Sequence, residues 1–375
     1  MSAHRPATAP DFLLSRAHGS IRTQGAVETF DNADDAIKAL SDGTADLVVG
    51  ALPFRRDHKA ALTVPRSVIR EDGPLEPHSY YRQGEGARLR ARLVGLDPSL
   101  EEHRLRVASA ISTIKETMLK KVVLARAVDV AFEEPVDPRL LAARLIDLSY
   151  ARDGFIADLT PAGEDFHGAM LVGSSPEVLI KKQGSTVTAF PLAGSAPRKK
   201  DKAADEYQRR HLAESAKDHA EHAYVVDHLR RLLQPLCSSV DIPANPILMH
   251  TNEMWHLATP ISATLKGPTL TALELATIVH PTPAICGTPT DAAEELISFA
   301  ESDRRFYAGA VGWCDNSGDG EYMVAIRCAE VSGDGLRARA WAGGGIVAES
   351  DADEEVTETT AKLRTIARAL GISID

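Results

Sequence analysis

Four short β-rich segments, 155–159, 169–173, 178–181 and 186–190, follow one another along the chain, the last two joined at Gln183 and Gly184. Parallel neighbours need a crossover of a dozen or more residues, so connections this short favour antiparallel pairing. Elsewhere strands and helices interleave without a βαβ rhythm or a GxGxxG turn. The chain is therefore expected to be an α+β protein with large antiparallel sheets and not a Rossmann domain. No internal repeat or low-complexity tract is present.

The first hundred residues alternate strand-like runs such as 45–52 with turn material, contain one short helix candidate at 34–40, and hold no chemical motif. From Asp97 the pattern sharpens. Val107, Ile111, Ile114 and Met118 recur at four, three and four, marking a helix that opens at Asp97 and Pro98. A second helix opens at Asp137 and Pro138 with Leu141, Leu145 and Leu148 on one face. Between them KVVLARAVDVAF reads as a strand, and Lys121 shares parity with Val123, Ala125 and Ala127. A lysine is thus placed among small apolar side chains. A long helical stretch is expected over 203–236, strands over 246–265, and two helices flanking HPTPAICGTP. A hairpin should join 307–314 to 322–331 through Asp315 to Gly320, and a strand over 336–347 should lead into a C-terminal helix.

With 375 residues, 44% hydrophobic and 25% charged, the chain can bury a large core. A formal net charge of −11 argues against a nucleic-acid partner. The one basic run, Arg198 to Lys202, reads as a solvated loop. The opening MSAHRPATAP has no apolar core of a signal peptide, and no stretch is apolar enough to span a bilayer, so neither membrane nor export is expected and the cytoplasm is. Cys237, Cys286, Cys314 and Cys328 are widely spaced with no CxxC pair, which signals neither zinc ribbon nor disulfide framework. Buried thiols are expected.

EEVTETTAK at 354–362 places Glu355, Glu358 and Lys362 within about 60° of one another around a helix, beside the stripe Val356, Leu363, Ile366 and Leu370. KDHAEH at 217–222 repeats the device, with Asp218 and Glu221 three apart. Taken alone, Glu358 and Lys362 also suit an ordinary surface pair at i,i+4. Two helices presenting paired carboxylates to one cleft would supply the hard oxygen ligands that suit Mg²⁺. A zinc site from His219, Glu221 and His222 is the rival, but no third nitrogen or sulfur ligand stands at conventional spacing.

KVVLAR at 121–126, GSSPEVLI at 173–180, FPLAGSAPR at 190–198, KDHAEH, WHLAT at 255–259, HPTPAICGTP at 280–289, FYAGAVGWCD at 306–315, AIRCAE at 325–330 and GGGIVAESDADEEVTETTAKL at 343–363 occur in that order. Together they closely resemble the chorismate-utilising family, which includes anthranilate, aminodeoxychorismate, salicylate and isochorismate synthases, and within it the isochorismate-forming type. The resemblance covers roughly residues 100–370, and residues 1–100 match only loosely. It implies one compact unit over 1–375, with a divergent part at 1–100 and a chorismate-binding catalytic region at 101–375. It further implies two large antiparallel sheets flanked by helices, the anthranilate synthase component I-like fold, and a Mg²⁺-dependent enzyme acting on chorismate.

In isochorismate formation water adds at ring carbon 2, the double bonds shift and the carbon 4 hydroxyl leaves. Water is a poor nucleophile and hydroxide a poor leaving group, so a base and an acid are both needed. The resemblance assigns the base to Lys121 and the acid to Glu177. Burial beside a divalent cation would favour the neutral amine that a base requires. The substrate is a dianion. The resemblance implies that Lys362 and the backbone at Gly343 and Gly345 hold its ring carboxylate, with Gly194 close by, and that Arg327 and Tyr307 hold the enolpyruvyl carboxylate. A forked guanidinium suits that task. Arg327 has the opposite strand parity to Tyr322, Val324, Ile326 and Cys328, so it is expected to face a cleft while they pack. His256 matches a family histidine near the ring. Asp218, Glu221, Glu355 and Glu358 match the metal site, where an ion makes four gathered carboxylates tolerable.

Ala284 in HPTPAICG stands near a position where ammonia-using and salicylate-forming relatives commonly carry a hydroxyl residue, and this separates the isochorismate-forming type from them. Two departures stand out: GGGIV for the commoner GAGIV, and KDHAEHA for KxRHEHE. Salicylate synthase is the main alternative, followed by anthranilate synthase component I or a non-catalytic chorismate-binding relative. No glutaminase subunit is expected, and a monomer is. Whether the product feeds siderophore, salicylate or menaquinone formation is not written in these residues.

Overall fold

A computed structural model describes residues 9–81, 89–267 and 270–374, so the first eight residues of MSAHRPATAP lie outside it. The chain opens with β1 (Phe12–Arg16), β2 (Gly19–Phe30), α1 (Ala33–Ser41), β3 (Leu47–Leu52), β4 (Ala61–Glu71) and β5 (Ala91–Asp97). It continues through α2 (Leu100–Glu116), β6 (Lys121–Phe132), α3 (Pro138–Leu148), β7 (Gly154–Asp158), β8 (Met170–Gly173), β9 (Val178–Gln183), β10 (Thr186–Phe190) and β11 (Leu192–Pro197). Then come α4 (Lys202–Glu214), α5 (Ala216–Leu233), β12 (Cys237–Asp241), β13 (Ile247–His250), β14 (Met254–Ala258), β15 (Ile261–Leu265), α6 (Ala272–Val279), β16 (Gly287–Thr288) and α7 (Thr290–Ala300). It closes with β17 (Ala310–Asp315), β18 (Gly320–Val324), β19 (Cys328–Val331), β20 (Arg337–Ile346) and α8 (Ala352–Leu370).

Every strand pairing among the described residues is antiparallel. One ladder runs β5, β6, β20, β19, β8, β7, β1, β2, β4; a second runs β4, β3, β17, β18, β9, β10, β15, β12. β4 belongs to both, pairing with β2 along its length and with β3 at Ala61 to Thr63. The expected α+β architecture of large antiparallel sheets flanked by helices is thus built with one shared strand. β11, β14 and β13 form a separate small sheet. The loosely matching N-terminal hundred residues are woven into both ladders, since β1 pairs with β7 and β3 with β17.

Helices cover the first ladder because their apolar stripes match its exposed face. Leu141, Leu145 and Ile146 of α3 and Leu363, Ile366 and Leu370 of α8 pack with Val128, Val172 and Ala340 in one buried cluster. Each such aliphatic side chain contributes about 1.5–3 kcal/mol by leaving water. Asp137 caps α3 through Arg139 N, with Pro138 at the first helical position. All four cysteines are buried and free. Among the described residues no helix is long and apolar enough to cross a membrane.

Four expectations from the sequence need correction. The stretch 203–236 is two helices, because Ser215 ends α4 and its hydroxyl accepts from Asp218 N to start α5. α2 is capped by Ser99 and stops at Glu116, leaving Met118 outside it and 81% exposed. The second arm of the expected hairpin is broken: β18 pairs in one ladder and β19 in the other. Finally, Arg198 is not simply solvated. It pairs with Asp205 at 2.9 Å and lies over the Trp255 ring.

Candidate active site

Three motif segments meet in register. Thr288 of β16 lies opposite Lys121 of β6, and Val123 lies opposite Gly345 of β20. Lys121 is fully buried, and its Nζ lies 3.0 Å from Glu221 Oε1 on α5. This closeness depends on Gly345: a Cβ there would lie 2.1 Å from that same Oε1. Burial alone would raise the Glu221 carboxyl, but the Lys121 ammonium holds it below the usual range.

Glu177 follows β8 in the SSPE loop. Its backbone N donates to Ser175 Oγ at 3.2 Å, its carbonyl accepts from Val324 N at 3.1 Å, and its Oε1 accepts from Leu192 N at 3.4 Å. Burial pushes this carboxyl up to about 8, against the opposing pull of Lys121 and Lys362. A group in this state is a neutral acid at pH 7 and can donate a proton.

The two acidic helices meet through Lys217 of α5 and Glu355 of α8. Glu355 is buried; its Oε1 receives Lys217 Nζ at 2.9 Å and Ser350 Oγ at 2.8 Å, while Oε2 is buried without a partner. Burial and then the neighbouring Glu358 push Glu355 up to about 7. Burial also raises Asp218, which further feels Glu221 and Glu358. Glu358 Oε1 meets Lys362 Nζ at 2.6 Å. Each of the three glutamates therefore has its own lysine. Among the described residues no three His, Cys, Asp or Glu side chains converge at metal-binding geometry. The donor chemistry nonetheless fits a hard divalent cation: hard oxygens, mutual repulsion, and one buried oxygen with nothing to bind. The zinc alternative fails for a separate reason. Both ring nitrogens of His222 are engaged, by Ala193 O and Thr259 Oγ1, and His219 Nε2 meets Ala213 O.

Between these elements lies a cleft of about 660 Å³, a volume that includes space open to solvent at its mouth. Glu177, Gly194, Glu221, His256, Ala284, Tyr307, Arg327, Gly343, Gly345, Glu358 and Lys362 all line it. Lys121, Asp218 and Glu355 stand behind this lining, the last two against Gly194 and Gly344, where an added Cβ would meet Asp218 Cβ at 3.0 Å and Glu355 Oε2 at 2.9 Å. Gly194 also adopts φ +77°, a conformation that suits glycine.

Arg327 reaches the cleft by a route that strand parity does not describe. It sits in the break between β18 and β19 with φ +52°, and Ile326, expected to pack away, lines the cleft beside it. Its Nη2 lies 3.4 Å from His256 Nε2 and its Nη1 donates to Thr365 Oγ1 at 3.4 Å. Burial and the Arg327 charge hold His256 well below its ordinary value, so the ring is neutral, and Ser195 Oγ lies 2.9 Å from Nδ1. Tyr307 stacks on Trp341 with ring centroids 5.7 Å apart, and burial pushes its phenol far up. Lys362 Nζ donates to Gly343 O at 3.0 Å. Arg327 and Lys362 give the cleft two cationic groups suited to an anion with two carboxylates.

Sequence reasoning missed Lys217, Ser195, Trp341 and Ser350. Lys217 opens the KDHAEH motif, but its partner stands 138 residues away, so no local spacing could reveal it.

Residues 87–371 match the family described as Chorismate binding enzyme. The chain is 44% identical over 376 residues to a Mycobacterium tuberculosis protein provisionally named isochorismate synthase MenF, covering 99% of this chain and 100% of that one. It is 38% identical over 378 residues to the isochorismate synthase DhbC of Bacillus subtilis, covering 96% and 94%. Its structure resembles, with a TM-score of 0.88 and 34% identity over 98% of both chains, a Bacillus anthracis protein provisionally assigned as a 2,3-dihydroxybenzoate-specific isochorismate synthase, DhbC.

Proposed function

The chain belongs to the chorismate-binding enzyme family, and from that premise we propose that it is an isochorismate synthase, an isomerase converting chorismate to isochorismate. One feature carries the chemistry: Glu177, a buried carboxyl that burial pushes up to about 8, lines the same cleft as Glu221, whose partner Lys121 stands directly behind that lining.

Lys121 takes a proton from water as the water oxygen bonds to carbon 2 of the ring. The ring double bonds shift, the carbon 4–oxygen bond breaks, and Glu177 gives its proton to the departing hydroxyl, which leaves as water. One water enters and one leaves, so the net change is isomerisation. Arg327 and Tyr307 hold the enolpyruvyl carboxylate; Lys362 and the backbone at Gly343 and Gly345 hold the ring carboxylate. Mg²⁺ held by Asp218, Glu221, Glu355 and Glu358 would neutralise those acids and add positive charge beside the ring carboxylate. Lys121 Nζ stands 3.0 Å from Glu221 Oε1, so the base and one of the acids that would hold the ion are in direct contact.

Ala284 at the cleft offers no hydroxyl, which supports water addition without the later pyruvate elimination of a salicylate synthase. Because water and not ammonia is the nucleophile, a glutaminase subunit is not needed, and a cytoplasmic monomer suffices. The test is a product assay with chorismate and Mg²⁺, with and without ammonium, coupled to an isochorismate-consuming enzyme. Isochorismate in both conditions is expected. Salicylate with pyruvate, or an aminated product, would replace this reading with one of its relatives.

A further inference from the structure

We propose that Arg16, supplied by the N-terminal strand, is a positioning residue for Glu177. The inference rests on the acid role assigned to Glu177 above. Arg16 is the last residue of β1, in the part of the chain that carries no motif. Its guanidinium joins three acceptors from three separate segments: Glu321 Oε1 on β18 at 3.2 Å, Asp153 Oδ1 before β7 at 3.0 Å, and the carbonyl of Ser175 at 3.5 Å.

The carbonyl contact matters because Ser175 lies two residues before the acid and its hydroxyl accepts from Glu177 N. Ser174, next to it, donates its hydroxyl to Asp153 O at 2.7 Å and its N–H to Arg327 O at 3.1 Å. Segment 174–177 is thus tied at one end to Arg327 and braced on its outer side by Arg16 and Asp153. Glu321 and Asp153 are buried, at 3% and 9% exposure, and neither lines the cleft. His18 Nε2 adds a contact to Glu321 Oε2 at 3.0 Å and in turn lies 3.0 Å from Lys181 Nζ.

A planar fork can satisfy a carbonyl and two carboxylates together, whereas an ammonium on a flexible stem cannot hold that geometry as well. Loss of the brace would let the SSPE segment relax and admit water to Glu177. The acid would then be misplaced, and its proton would leave at lower pH. Lys121 and Lys362 are the charged groups facing Glu177, and neither touches Arg16.

The test compares wild type, Arg16→Met and Arg16→Met/Glu321→Gln for kcat, KM, the pH profile of kcat and thermal melting. The double variant removes one of the buried charges that the single variant leaves unpaired. Arg16→Met is expected to lower kcat roughly 10- to 100-fold, as small misplacements of a reacting group do, with KM changed little and the alkaline limb moved to lower pH. The double variant should regain melting temperature without regaining kcat. Recovery of both together, or an unmoved alkaline limb, would reduce Arg16 to a structural ion pair and overturn the proposal. Wild-type protein that makes no isochorismate would remove the acid role and this one with it; an active wild type matched by an equally active Arg16→Met would remove this one alone.

Discussion

Lys121 Nζ and Glu221 Oε1 stand 3.0 Å apart, with the lysine fully buried and the glutamate nearly so. Removing one partner of a buried pair leaves the other uncompensated, at a cost of about 3–5 kcal/mol. Lys121→Met is therefore expected to melt at lower temperature in EDTA and to regain part of that loss with Mg²⁺, which can take over the charge of Glu221. Turnover should fall by about 100-fold or more. Thermal melts with and without the ion, alongside kcat, check both halves; undiminished turnover would reject the lysine as base.

Glu177 must be protonated to act, and its folded value of about 8 places the active form below that pH. kcat should be level through neutrality and fall as pH rises through about 8. Glu177→Gln should lower kcat by about 100- to 10,000-fold and abolish that limb. Stability gives an independent check. The folded carboxyl titrates above its unfolded value, so between about pH 4.5 and 8 the folded state keeps a proton that the unfolded chain has released, and stability falls as pH rises across that window. Denaturant titrations should show a shallower loss over this range in the glutamine variant.

Burial and Glu358 raise Glu355 to about 7, and a cation ligand must be ionised. Mg²⁺ affinity measured by calorimetry should therefore weaken as pH drops from 8 to 6. Glu355→Gln should weaken binding at both values and flatten the dependence. A flat profile in the wild-type protein would mean that Glu355 is not a ligand.

The fold was readable in the sequence where the cause was local. The connections β7 to β8 and β9 to β10 gave antiparallel pairs, whereas β8 and β9, despite the short link between them, fall in different ladders; Asp137 with Pro138 marked the start of α3. Reading failed where a local cap or an early helix end overrode periodicity. Ser215 stops one helix and starts the next by capping, and Met118 kept the apolar spacing of α2 after the helix had ended. The chemistry was less readable still. No spacing marks Glu177 as an acid, because its protonation comes from burial supplied by distant segments; only resemblance across many motifs pointed to it. Arg327 was singled out by resemblance; it does line the cleft, but its left-handed backbone takes it there by a route that strand parity does not describe. Lys217 and Arg16 act through partners far along the chain, and neither stood out.

Arg327 is buried at the cleft with its fork directed toward His256 and Thr365. A charge-assisted hydrogen bond contributes about 1.5–3 kcal/mol, so Arg327→Lys, which keeps the charge and loses the fork, should raise KM for chorismate by roughly 10- to 100-fold. Steady-state kinetics check this, and a KM within about twofold of wild type would place the enolpyruvyl carboxylate elsewhere.

The most direct measurement is turnover of chorismate in H₂¹⁸O with Mg²⁺, followed by mass analysis of the product. The account predicts isochorismate carrying one ¹⁸O at carbon 2, and no label in either Lys121→Met or Glu177→Gln beyond trace turnover. Isochorismate that forms without solvent oxygen would contradict it.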